Sequence, residues 1–119
     1  MRVRGDPRER HIALKCAHLA AEVLRGRREV AVWGAGETGK AFADALAAVG
    51  VRVALFLDVD PRKVGRTARG APVFGHAEAA RARGLPLLVA VGAPGARPLI
   101  RAELEKHGFA ELRDFWCVS

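Results

Sequence analysis

The chain has 119 residues, half of them hydrophobic, which allows one domain with an ordinary core and tells against intrinsic disorder. No apolar stretch reaches the roughly 18 residues of a membrane helix, and the charged start at residues 1–7 leads into no signal-peptide apolar region, so a cytoplasmic protein without membrane insertion is expected. The formal charge of +7 would suit a polyanion, but the arginines are spread among acids such as Asp6, Glu9, Glu22, Glu103 and Glu105, which argues for a solvated basic surface and against a nucleic-acid partner.

Residues 8–25 place Ile12, Cys16, Leu19, Val23 and Leu24 at the spacing of one helix face, with Pro7 suited to the first turn and Gly26 to the stop. Residues 30–33 read as a strand, and residues 38–49 as a helix with Phe42, Leu46 and Val49 inward and Gly50 at its end. The near-continuous apolar run 51–57 suits a strand covered on both faces. Residues 58–70, punctuated by Pro61, Gly65 and Gly70, read as a loop. A short strand at 71–74, an Ala-rich helix at 76–83, a buried strand at 87–91, a helix at 97–107 with Leu99, Ile100 and Leu104 inward, and a last strand at 112–118 follow. The order predicts an α/β fold: a small doubly wound parallel sheet of about five strands with an extra N-terminal helix. Residues 1–119 read as a single domain, with 1–28 as a helical extension and 29–119 as a nucleotide-binding core.

Between the first strand and the second helix, Gly34-Ala35-Gly36-Glu37-Thr38-Gly39 spells G-x-G-x-x-G. Gly34 permits the turn out of the strand, Gly36 lets a phosphate approach the backbone, and Gly39 lets the helix pack closely on the sheet. The unpaired N–H groups of that helix start, with the positive end of its dipole, favour a diphosphate. Asp58 lies about 20 residues further on, where an acid accepts hydrogen bonds from ribose hydroxyls. A glycine turn kept only for packing is the alternative. Glu37 stabilises the empty helix end but would repel a diphosphate, unless Lys40 offsets it. A P-loop is excluded, because Ala41 stands where a Ser or Thr must hold magnesium and residues 87–91 offer no acid. Arg62 and Lys63 suit either a ligand 2′-phosphate or a solvated loop. Gly92-Ala93-Pro94-Gly95 with Arg97 forms either a second anion site at a strand end or a structural turn.

Catalytic groups are not identifiable. His11, His18, His76 and His107 stand beside no evident base, nucleophile or metal partner, so no metal is expected, and the absence of tyrosine rules out a Tyr-Lys pair. Trp33 and Trp116 read as packing residues, and Cys16 and Cys117, far apart, as reduced thiols. Arginine-rich usage without Asn or Gln suits a high-GC, thermophilic source.

Val32-Trp33-Gly34-Ala35-Gly36, the run from Phe56 to Gly65, Gly70-Ala71-Pro72-Val73-Phe74-Gly75 and Val89-Ala90-Val91-Gly92 with Arg97 resemble the small Rossmann-like domain of bacterial sugar acyltransferases and nucleotide-sugar dehydratases. Arg113-Asp114-Phe115-Trp116-Cys117-Val118 looks still more like a Rossmann-like domain fused behind family-two glycosyltransferases. The resemblance spans roughly residues 30–119. It implies a nucleotide, nucleotide-sugar or NAD(P) ligand at Gly34, Gly36, Gly39 and Asp58. These 119 residues contain no β-helix, hydride-transfer or glycosyltransferase domain. The expectation is therefore a binding module accessory to sugar or cell-surface polysaccharide metabolism, working as a homodimer or with a separate catalytic chain. Two alternatives stand beside it. One is an NAD(P)-dependent oxidoreductase subunit whose catalytic groups come from elsewhere; the other is an interaction domain with a lapsed site, using the helix at 8–25.

Overall fold

Asp6 and Glu9 open the first helix with reciprocal hydrogen bonds: Glu9 N–H donates to Asp6 Oδ1 at 2.8 Å, and Asp6 N–H donates to Glu9 Oε1 at 3.2 Å. The protein is described by a computed structural model covering residues 6–119, so residues 1–5, part of the charged start and of the 1–28 extension read above, lie outside the described residues. Helix α1 (Pro7–His18) runs into a π-helical segment, Leu19–Leu24. There Arg25 N–H donates to Ala20 O, and the wider turn brings both Leu19 and Leu24 into the core. Val23, expected on the same face, is left half-buried.

Strand β1 (Glu29–Trp33) sends Val30 and Val32 to one side of the sheet and Ala31 and Trp33 to the other. Helix α2 (Glu37–Ala48) buries Gly39, Phe42, Ala43 and Leu46. Val49 departs from the expected inner face: the helix ends at Ala48, and Val49 turns away with 41% of its surface exposed. Strand β2 (Arg52–Asp58) is buried over its last four residues.

The segment read as a loop contains one more strand. β3 (Thr67–Ala68) pairs antiparallel with β4 (Ala71–Gly75) through a tight hairpin whose central residues, Arg69 and Gly70, have φ of 49° and 81°. Arg69 is held there by Asp44, which accepts from Nε at 2.8 Å and Nη2 at 3.1 Å. The sheet therefore has six strands, in the order β3-β4-β2-β1-β5-β6, and all pairings except β3 with β4 are parallel.

The short Ala-rich helix expected at 76–83 is a 3-10 helix (His76–Ala82), and it leads to β5 (Leu87–Val89), shorter than the strand read at 87–91. Helix α3 (Ala96–Lys106) buries Ile100 and Leu104, but Leu99, expected inward, is 74% exposed. The last strand, β6 (Phe115–Cys117), starts three residues later than expected, because Leu112 adopts a φ of 68° and points outward. Ile12, Cys16 and α2 cover one face of the sheet, and Ala79, Ala82 and α3 cover the other. Burial raises the Cys16 thiol to a pKa of about 11. Both cysteines are free.

Glu103 ties α3 to its surroundings. Its Oε2 lies 3.2 Å from His76 Nδ1 and 3.3 Å from His107 Nε2, and Lys106 Nζ is 3.2 Å from Oε1. These partners, His76 foremost, lower its pKa from 4.5 to about 2. A carboxylate depressed on folding stabilises the folded state above its unfolded pKa and loses that contribution as pH falls through the folded value. Glu103→Gln therefore melts at a lower temperature than the unaltered chain at pH 6, and the gap in Tm closes between about pH 4.5 and about pH 2. A gap independent of pH would refute the assignment.

Candidate functional site

The order of the sheet creates a cleft. The chain leaves β1 toward β2 and β4 on one side and returns to β5 and β6 on the other, so the connections beyond β1 and β5 run in opposite directions and part above their carboxyl ends. The cleft measures about 550 Å³ and is walled by the glycine turn, the Asp58 loop and the segment from Ala90 to Ala93.

Gly34 leaves β1 at a φ of 118°, and a Cβ there would overlap Ala90 O. A Cβ on Gly39 would overlap Gly34 O, so turn and helix touch through bare backbone. Gly36 is the N-cap of α2 and supplies no side-chain acceptor to the first turn. Its own surroundings are open apart from Lys63, whose Nζ lies 3.3 Å from a Cβ placed on Gly36. The α2 N-terminus thus offers N–H groups and a positive dipole end to the cleft, with an ammonium beside them.

Asp58 ends β2 and, among the described residues, is the charged side chain that is buried. Its Oδ2 accepts from Ala35 N–H at 2.8 Å and its Oδ1 from Asp60 N–H at 2.9 Å. The acid expected to meet a ligand ribose is therefore also the clasp that holds the glycine turn to the next loop. Each carboxylate oxygen retains a second lone pair.

The structure brings Gly34, Gly36, Glu37, Thr38, Gly39, Asp58 and Gly92 to the cleft. Ala35 is buried behind the wall, contributing its N–H to Asp58. Arg62 turns away: Asp60 accepts from its Nε at 3.2 Å and its Nη2 at 3.1 Å, and this pairing lowers the Asp60 pKa. Its neighbour Lys63 faces the cleft instead. Arg97 also stands apart, donating from Nε to Ser119 O at 2.7 Å. Arg8 and the apolar pair Val59 and Leu99 were not read from sequence as site residues. Arg8 reaches the site from α1 by donating from Nη2 to Thr38 Oγ1 at 2.8 Å. Val59 and Leu99 line the mouth and are 62% and 74% exposed. The four histidines lie outside this lining, and no group of three or more His, Cys, Asp or Glu side chains among the described residues could hold a metal ion.

Strand, glycine turn, helix start and acid, set at the point where the sheet reverses, define a Rossmann-like nucleotide-binding fold. Comparison with known families narrows the class. A profile of the CoA binding domain matches residues 26–98, and the chain belongs to that family. No curated protein sequence matches the chain. Among solved structures, RSP, a Rex-family repressor, is similar with a TM-score of 0.59 at 18% identity, over 83% of this chain and 48% of that one. RSP in complex with β-NADH gives 0.54 at 20% identity, over 75% and 44%. RSP in complex with β-NAD+ and operator DNA also gives 0.54 at 20% identity, over 75% and 42%. The likeness at these identities concerns the fold. The chain spans less than half the length of those structures. The family match supports the Rossmann-like nucleotide-binding part of the resemblance, and an association with sugar-modifying enzymes is not part of that match.

Proposed function

We propose that the cleft binds an adenine nucleotide carrying a diphosphate, of the NAD(H) or CoA type. The observation that carries this reading is the meeting of the uncapped α2 N-terminus, the open approach over Gly36 and the Lys63 ammonium in one cleft. The diphosphate takes the α2 N–H groups and Lys63, and a ribose hydroxyl donates to the free lone pairs of Asp58. The base lies between Val59 and Leu99, two apolar side chains whose exposure at the mouth a ring would remove. Family membership and the β-NADH and β-NAD+ named with RSP support this ligand class. The polar side chains facing the cleft, Glu37, Thr38, Asp58, Asp60 and Lys63, suit holding a nucleotide better than transforming one.

Calorimetric titration with NADH, NAD, NADP, CoA and UDP-sugars tests the reading. Saturable binding of an adenine dinucleotide or CoA is expected, with UDP-sugars weaker. Lys63→Met weakens it about tenfold, the loss of one charge-assisted hydrogen bond. No saturable binding of any of these at millimolar concentration overturns the reading. The RSP complex with operator DNA weighs against the reading, drawn from the charge distribution, that disfavours a nucleic-acid partner, so a duplex DNA titration with salt dependence belongs beside it.

A further inference from the structure

We propose that Arg8, on the first turn of α1, is a second phosphate-binding cation of the cleft and favours diphosphate over monophosphate ligands. The inference rests on the nucleotide reading above and adds a residue from outside the segment that matches the family. Arg8 donates to the hydroxyl of Thr38, the second residue of α2. That hydroxyl also lies 3.1 Å from a Cβ placed on Gly92. The guanidinium therefore reaches the junction of the α2 first turn and the β5–α3 loop, while Lys63 stands over Gly36, the residue that begins the same turn.

Charge balance gives Arg8 its importance. The acids lining the cleft are Glu37, Asp58 and Asp60. Asp60 is paired with Arg62, and both Asp58 oxygens hold backbone N–H groups. Lys63 then offsets Glu37, but the Asp58 carboxylate keeps its charge, so these side chains together leave a net negative charge and no surplus for a dianion. Arg8 cancels that negative charge, so that an arriving phosphate meets the α2 N–H groups without net repulsion. Its bond to Thr38 uses one of the five guanidinium donors, and the residue is exposed. Its position is fixed rather than incidental. The Asp6–Glu9 box and Pro7 set where α1 begins, and Ile12 and Cys16 pack that helix into the same core as Phe42 of α2.

The test uses the full chain, titrated with ADP, AMP, adenosine and inorganic pyrophosphate. Arg8→Gln, with unchanged Tm, is expected to weaken ADP and pyrophosphate about tenfold, AMP less, and adenosine not at all, while Arg8→Lys restores most of the loss. Full-strength binding of ADP and pyrophosphate by Arg8→Gln, with Lys63→Met weakened, overturns the role of Arg8 and leaves the nucleotide reading standing. Equal weakening of adenosine and ADP overturns it too, because the effect would then be structural. Arg8-dependent binding of pyrophosphate without binding of any adenine ligand upholds the phosphate role and removes the nucleotide reading. Failure to bind all four removes both.

Discussion

Gly39→Ala should unfold at clearly lower urea than the unaltered chain, a loss of about 3 kcal/mol. The added methyl overlaps the backbone carbonyl oxygen of Gly34, a residue whose own N–H donates to Leu57 O at 2.7 Å. Neither partner can rotate away, so α2 must lift from the sheet. Gly36→Ala provides the contrast. Its Cβ meets the end of a flexible lysine, and its φ of −88° suits any residue. That variant keeps its stability to within about 0.5 kcal/mol but loses nucleotide affinity about tenfold or more, because a methyl stands where the phosphate must approach and displaces Lys63. Two adjacent glycines of one motif would thus separate into a folding residue and a binding residue. Urea titration and calorimetry on the pair read the difference. Stable Gly39→Ala, or Gly36→Ala binding at full strength, would show that the cleft is not built as described.

Asp58→Ala has the second large effect. It leaves the N–H groups of Ala35 and Asp60 without their acceptor at a site with 9% exposure. Leaving such donors unpaired costs about 2–4 kcal/mol in total. Asp58→Asn retains one acceptor oxygen and should lose about half as much. Amide exchange at Ala35 and Asp60 accelerates in both variants. Ligand affinity also falls, and it is best measured on the folded fraction, because ligand and clasp act on the same turn. Unchanged exchange at Ala35 would contradict the clasp.

The sequence disclosed the site's backbone better than its side chains. G-x-G-x-x-G between an apolar run and a helix pattern specifies a turn by sterics alone, and Gly34 and Gly39 occupy the close contacts that such a turn demands. Asp58 was legible from its distance to the turn, but its clasp was not, since a carboxylate at a strand end looks the same whether it holds ligand or backbone. Arg62 and Lys63 are neighbours of like charge, and only the position of Asp60 sends one outward and leaves the other facing the cleft. Arg8 lies far from the motif in sequence, and nothing local marks it. Among the elements, β3 escaped notice because a hairpin turn with two positive φ values usually advertises itself with Asn or Asp before Gly. Arg69 fills that place and depends on Asp44 from another element. Leu99 and Val49 have helical spacing but sit where the helix meets the cleft or ends, so periodicity alone misplaced them.

The two faces of the sheet have a further consequence, in optics. The chain has two tryptophans and no tyrosine. Trp33 is buried on the α3 side and borders the cleft, while Trp116 packs half-exposed on the side covered by α1. Each face therefore has its own fluorophore, and a Trp116→Phe variant leaves a single emitter in the cleft wall. A reduced nicotinamide ring arriving beside Trp33 would quench that emission by energy transfer, whereas disturbance of α1 would be registered by Trp116. The protein carries a separate light source for each side of its sheet.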